Sequence, residues 1–291
     1  MTKSLAVVIG SNGQFGSDIV KVLNGKFTVK ALTHKDIDIT KKACYDSIVA
    51  LEPQYVINTA AFHNLKACEE EPDKAFLVNA WGALNLARAC NDIGATLIHT
   101  STDHVFDGET DQPYFEDSKT CPVSSYGRSK LLGEQLVTAY INKHYILRVS
   151  TLYGYVPPSG KPWNFIDMVV GKAIKKEKMT IVNMLYSSPT FTANAANKLL
   201  AILTRKLPYG VYHCSDGGVT SFYDLAVFIC KYLNLEVDIV PLTEPLDSVP
   251  RPKYCIMGGA KLDGFGIPSR PWQACIAVYL NNKYPEYAPK R

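Results

Sequence analysis

The sequence contains no CxxC pair, no HExxH and no pair of histidines spaced with a carboxylate, so nothing in it marks a zinc or redox centre. No apolar stretch approaches the roughly 18 residues of a membrane span. In MTKSLAVVIGSNG, glycines follow where the apolar region of an export signal would continue, so neither a leader nor a membrane partner is expected. Runs of Lys or Arg are also missing. The 31 basic and 27 acidic residues are interspersed and leave a net charge of +4, which argues against a nucleic-acid surface. Eight cysteines stand singly at 44, 68, 90, 121, 214, 230, 255 and 275 and are expected to be reduced; several, such as Cys90 and Cys230, sit in apolar helical patterns and read as small buried hydrophobes. There is no internal repeat and no low-complexity tract. What remains is the composition of a soluble globular protein, 47% hydrophobic and 20% charged over 291 residues, for which the cytoplasm is the expected location.

Apolar runs of strand length alternate with longer segments of helical period. LAVVIG (5–10), TVKAL (28–32), YVINTA (55–60), ATLIHTS (95–101) and YILRVS (145–150) are separated by stretches such as 72–93 and 126–142. This alternation predicts βαβ units, and continuous apolar strands predict helices on both faces. The expected fold class is α/β, a Rossmann-like doubly wound parallel sheet with a smaller α/β substrate-binding lobe. After Gly154 the Pro- and Gly-punctuated loop PPSGKPWN (157–164) leads into a helical NFIDMVVGKAIKKE, a strand TIVNM, a helix at about 193–206, a strand VYHCS, a helix at 221–234 and a last helix near 272–283. The expected division is a dinucleotide-binding domain of 1–155 with a returning segment at about 187–215. Residues at about 156–186 and 216–291 would form the substrate lobe.

Three local features carry chemistry. The first strand runs into GSNGQFG, where Gly10, Gly13 and Gly16 allow a tight turn and the close approach of a pyrophosphate to a helix N-terminus. Asn12 and Gln14 belong to the same turn. The second strand ends at ALTHKDIDIT, where Thr33, His34 and Lys35 offer neutral or basic contacts and Asp36 or Asp38 an acidic one to a cofactor ribose. The fourth strand ends in HTSTDHVFDG, which puts Ser101, Thr102 and Asp103 at the carboxyl edge of the sheet, and SSYGRSK follows at 124–130. Four-residue spacing puts Tyr126 and Lys130 on one helix face, where an ammonium would pull the phenol pKa down from about 10. The three features converge on one edge of the sheet.

With these motifs on the page, the chain resembles the extended short-chain dehydrogenase/reductases, and more narrowly is similar to the dTDP-4-dehydrorhamnose reductases over nearly its whole length. GSNGQFG, DIDIT, NTAAFHNLKACEEEP with VNAWGALNLARAC, STDHVFDG, PYFEDSKTCPVSSYGRSKLLGE, RVSTLYG, WNF, SSPT and VPRPKY carry the likeness. The resemblance implies a catalytic set of Thr102, Tyr126 and Lys130 with Asp103 beside them. It implies cofactor contacts from Gly10, Gln14, Phe15, Gly16, Asp38, Ile39, Ala60, Ala61, Asn79, Tyr126 and Lys130. Three departures stand out: His104 where the family usually has Tyr, Thr151 where it usually has Trp, and His63, Leu65 and Lys66 in place of Thr, Val and Asp. Some members bridge a dimer with a metal held by glutamates. KAIKKEKM is too basic for that, so no metal is expected, and a homodimer is the expected assembly.

The expected activity is hydride transfer from NADPH, with NADH as the alternative donor, to C4 of a nucleotide-activated 4-keto-6-deoxyhexose. Tyr126 would protonate the oxygen, Thr102 would hydrogen-bond it, and Lys130 would tune the tyrosine and hold the nicotinamide ribose. His104 and Thr151 would face the sugar, and Arg251 in VPRPKY its diphosphate. Two other readings stay open. One is a non-catalytic subunit similar to the regulatory beta subunit of methionine adenosyltransferase. The other is a reductase or epimerase of another nucleotide sugar, including an N-acetylated one.

Overall fold

The computed structural model describes residues 3–245 and 247–289. The apolar run Leu5–Ile9 forms β1, which pairs in parallel with β2 (Thr28–Leu32) on one side and β3 (Tyr55–Asn58) on the other. Beyond β3 lie β4 (Thr96–Thr102), β5 (His144–Val149) and the strand Gly210–His213, all parallel. The chain thus winds outward from β1 in both directions, and its topological switch point lies between β1 and β3.

Alternate residues of each inner strand enter different cores. Ala6 and Val8 pack with Ile57, Ile98 and Leu147 on one face of the sheet, under α1 (Gln14–Leu23). Val7 and Ile9 pack with Val56, Leu97 and Ile146 on the other. That second face is covered by α2 (Lys42–Leu51), and, after the short α3 (Leu65–Glu70) and α4 (Pro72–Phe76), by α5 (Gly82–Asp92) and α6 (Ser125–Tyr140). A strand covered on both sides has no polar face, which is why these runs lack alternation. β2 departs from that expectation. It is an edge strand, and Thr28, Lys30 and Ala31 are exposed.

In the second half, α7 (Phe165–Ile174), α8 (Thr192–Thr204), α9 (Phe222–Tyr232) and a final helix Trp272–Lys283 follow. α8 returns to the first core through Ala195, Leu199 and Ile202. The other three helices build a separate core from Val169, Ile229, Ile276 and Tyr279, with Met179 and Ile181 of the strand Met179–Val182. The helical stretch expected over 72–93 is broken between α4 and α5 by a widened turn, Leu77–Trp81. That turn carries Asn79 inward.

Candidate active site

At the end of β1 the chain reverses through Gly10, whose φ of +77° suits only a residue without a Cβ. The N–H groups of Gly10 and Ser11 both donate to the Leu32 carbonyl, at 2.9 and 3.1 Å, so the turn is strapped to the end of β2. α1 begins at Gln14 behind Gly13, with no side-chain cap and no acidic residue in its first turn. Its leading N–H groups and positive dipole end are therefore not neutralised by the protein's own side chains, which fits the diphosphate of a dinucleotide. The Gln14 side chain is itself engaged across the sheet edge. Its amide, oriented to satisfy both ends, donates to the Leu152 carbonyl (3.3 Å) and accepts from Gly154 N–H (3.0 Å).

Across the switch point, Ala60 and Ala61 follow β3, and Ala60 N–H donates to Asn58 Oδ1 at 3.1 Å. Asn79 stands behind this loop with its amide fully engaged: Oδ1 accepts from Phe62 N–H, and Nδ2 donates to the Phe62 carbonyl and to Ser129 Oγ. It shapes the loop after β3 through Phe62. Beyond β2, Asp36 accepts from the Thr33 N–H and hydroxyl at 2.8 and 2.7 Å, and Asp38 accepts from the Thr40 hydroxyl and N–H at 2.7 and 3.0 Å. These bonds hold both carboxyls below their ordinary range. Both are thus engaged in local turns, while His34 and Lys35 stand beside them and Ile39 is buried.

The reacting end is built by β4 and α6. Thr102 closes β4, and its hydroxyl donates to Asp103 Oδ1 (3.0 Å) while accepting from His104 N–H (3.2 Å). Asp103 Oδ2 accepts from Ser150 Oγ at 2.5 Å, so the carboxylate bridges the ends of β4 and β5. α6 arrives beside them already clamped. Ser124 accepts from Gly127 N–H, and Glu69 of α3 accepts from both the N–H (2.7 Å) and the hydroxyl (2.8 Å) of Ser125. Gly127 allows the approach, because a Cβ there would collide with the His104 carbonyl. Tyr126 consequently meets His104 edge to face, with ring centroids 5.6 Å apart.

The pairing of Tyr126 with Lys130 differs from the sequence expectation. Burial is the larger influence on the phenol and pushes its pKa up, and the Thr102 hydroxyl opposes this only in part. The Lys130 ammonium is engaged elsewhere: Nζ donates to the Thr100 carbonyl at 2.6 Å and lies 3.4 Å from His99 Nε2. Burial lowers the Lys130 pKa to about 8, against the opposing pull of Glu134. The two side chains share a face as the spacing requires, but desolvation outweighs the cation's influence on the tyrosine.

On the side toward the second half of the chain, Thr151 adopts φ +37°, a left-handed conformation that β-branched residues avoid. The four other non-glycine residues with positive φ among the described residues, Glu52, Lys176, Lys206 and Asn234, lie at helix ends. Thr151 is held there by its carbonyl, which accepts from Thr190 N–H (3.2 Å), and by its hydroxyl, which donates to Ser187 Oγ (2.9 Å). The His104 imidazole is kept neutral chiefly by burial, with Asp103 opposing and Arg251 assisting, and its Nδ1 has no hydrogen-bond partner. The Arg251 guanidinium is paired in a fork with Asp247, at 2.5 and 3.0 Å. A diphosphate would have to compete with that carboxylate.

Sequence reasoning missed Glu69, Ser150, Ser187 and His99. Ser150 in RVSTLYG, Glu69 in NTAAFHNLKACEEEP, Ser187 in SSPT and His99 in HTSTDHVFDG all lie inside segments singled out above, but their partners are far away in sequence and left no mark on which residue of each segment mattered. A cavity of about 760 Å³ between Phe115, Glu116, Asp117, Val211, Ala260 and Lys261 borders the outer strand and shares no residue with this constellation. No group of His, Cys, Asp and Glu among the described residues could hold a metal ion, and no helix among them is long and apolar enough to cross a membrane.

Residues 5–284 match the family model described as the RmlD substrate binding domain. The chain is 34% identical to the spore coat polysaccharide biosynthesis protein SpsK of Bacillus subtilis, over 97% of this chain and 98% of that one. It is 32% identical to a dTDP-4-dehydrorhamnose reductase of Streptomyces griseus, over 93% and 91% of the two chains. Among solved structures, the dTDP-4-dehydrorhamnose reductase of Bacillus anthracis in complex with NADP superposes with a TM-score of 0.90 at 30% identity, covering 97% of this chain and all of that one.

Proposed function

The chain belongs to the RmlD substrate binding domain family of NADP-dependent oxidoreductases, and from that premise we propose that it reduces the C4 carbonyl of a dTDP-linked 4-keto-6-deoxyhexose in the making of a polysaccharide precursor. The observation that carries the reading is the meeting of Thr102, Asp103 and Tyr126 at the carboxyl end of β4, on the same edge of the parallel sheet as the glycine turn and the uncapped start of α1. A bound nicotinamide supplies the hydride. Tyr126, neutral at working pH, gives its hydroxyl proton to the oxygen that becomes the C4 hydroxyl. The Thr102 hydroxyl, which the structure directs to Asp103, turns to the same oxygen, and Asp103 keeps its bond from Ser150 meanwhile. Lys130 keeps a positive charge next to the ribose side of the site.

NADPH is the expected donor. The Asp36 and Asp38 carboxylates are turned into bonds with Thr33 and Thr40, which leaves His34 and Lys35 to meet a 2′-phosphate. The NADP in the Bacillus anthracis structure agrees with this choice. A sugar carrying a further polar substituent, such as an acetamido group, is a second reading, favoured by the partnerless His104 Nδ1 and the Thr151–Ser187 hydroxyl pair. NADPH oxidation measured against dTDP-, UDP- and GDP-linked 4-keto sugars tests both. Turnover of dTDP-4-dehydrorhamnose with the highest kcat/KM in the panel supports the first reading and rejects the second; no turnover of any member rejects the reductase assignment.

A further inference from the structure

His99 lies between two donors, and a neutral imidazole has a lone pair for only one of them. It is 1% exposed on β4, between Asn58 of β3 and Ile146 of β5. Its Nδ1 lies 3.2 Å from Asn58 Nδ2, and its Nε2 lies 3.4 Å from Lys130 Nζ. The Asn58 amide cannot turn over without loss, because Oδ1 already accepts from Ala60 N–H. Asn58 therefore presents N–H to His99, so Nδ1 accepts and the ring proton sits on Nε2, aimed at Lys130. An ammonium has no lone pair to receive it. A neutral amine does, and can still donate to the Thr100 carbonyl at 2.6 Å. The arrangement is satisfied throughout only when Lys130 is uncharged.

We propose that His99, fixed by Asn58, is a positioning residue that favours the neutral amine of Lys130 and so sets the upper pH limit of the reaction proposed above. Other groups face the lysine as well. Glu134, one turn on along α6, favours the charged form, but its carboxylate is shared in a two-point bond with Arg148 of β5. Tyr126 lies one turn before on α6, and Asn79 has its amide committed to Phe62 and Ser129. The His99 ring itself stays uncharged: burial and Lys130 both lower its pKa. Burial already draws the lysine down to about 8, and the Nε2–H contact acts in the same direction.

The test compares wild type with His99→Gln, whose amide oxygen can turn to the ammonium, and with His99→Leu, which removes the N–H without replacing it. The expected result is an alkaline limb of kcat/KM moved upward by about one pH unit in His99→Gln, with KM for NADPH at pH 6.5 unchanged. Because the inference rests on the reductase reading, the lysine is also titrated directly by ¹⁵N NMR of its Nζ, assigned by its loss in Lys130→Arg. That measurement needs no substrate, so it answers even if no sugar is reduced. A Lys130 midpoint equal in wild type and in whichever His99 variants fold overturns the proposal; a midpoint raised in them supports it.

Discussion

Tyr126 is pulled in two directions: burial keeps its proton on, and the Thr102 hydroxyl eases it off. An acid that must be protonated when substrate arrives benefits from the first, and its transfer geometry comes from the second. Tyr126→Phe should lower kcat by about 10²–10⁴ while leaving NADPH affinity, read by titration calorimetry, close to wild type. Near-normal turnover in that variant would remove Tyr126 from the chemistry. Lys130 gives the pH dependence its sign. With its pKa lowered to about 8, the ammonium is lost as pH rises through that value, the phenol becomes a weaker acid, and reductase activity should decline above about pH 8. A rate that stays level to pH 10 would contradict this.

At the scale of elements, α6 is the part on which the site depends, since it carries Tyr126, Lys130 and Glu134 on successive turns. Its N-terminus is held by Glu69 through Ser125, and its middle by Glu134, which accepts from Arg148 Nε at 2.9 Å and from the terminal nitrogen at 2.7 Å. Both partners of that second bond are nearly fully buried. Glu134→Ala leaves the Arg148 guanidinium buried and unpaired, and should cost about 3–5 kcal/mol, measurable as a lower urea midpoint with an unchanged slope. Glu69→Ala removes two bonds at the first turn, next to Tyr126. Its expected signature is a loss of kcat larger than its loss of stability, because the displaced end carries the proposed proton donor. Equal losses would mean that Glu69 is only a support.

Across the whole molecule, the buried histidines link stability to pH. Burial lowers His99 well below its ordinary value and His213 to about 3, and Arg148 adds to the second effect. The unfolded chain binds these protons from about pH 6.5 downward and the native protein does not. The stabilisation is therefore complete above pH 6.5 and is lost as pH falls toward the native values. At pH 5 the loss amounts to about 2 kcal/mol for each histidine that stays neutral. Urea midpoints at pH 7.5 and pH 5 should differ accordingly, and His213→Gln should narrow the gap; an unchanged midpoint would count against the neutral histidines.

The strand segments, the glycine turn and the shared Tyr126–Lys130 face were readable along the chain, because strand burial, tight turns and helical spacing are short-range properties written in neighbouring residues. RVSTLYG and VPRPKY were singled out by resemblance, and the structure shows there Thr151 bonded to Ser187 and Arg251 paired with Asp247. The tertiary structure alone decided what those side chains face. Ser125 finds Glu69 across 56 residues, Ser150 finds Asp103 across 47, and Lys130 finds the Thr100 carbonyl across 30. Contacts of that separation leave no periodic trace. The edge position of β2 and the widened turn at Asn79 were likewise settled by packing, since only the assembled sheet determines which strand lacks a neighbour and which helical residue must turn inward. Most of all, sequence spacing put a cation beside Tyr126, while burial, which only the fold supplies, raised the phenol pKa and turned the lysine toward Thr100 and His99.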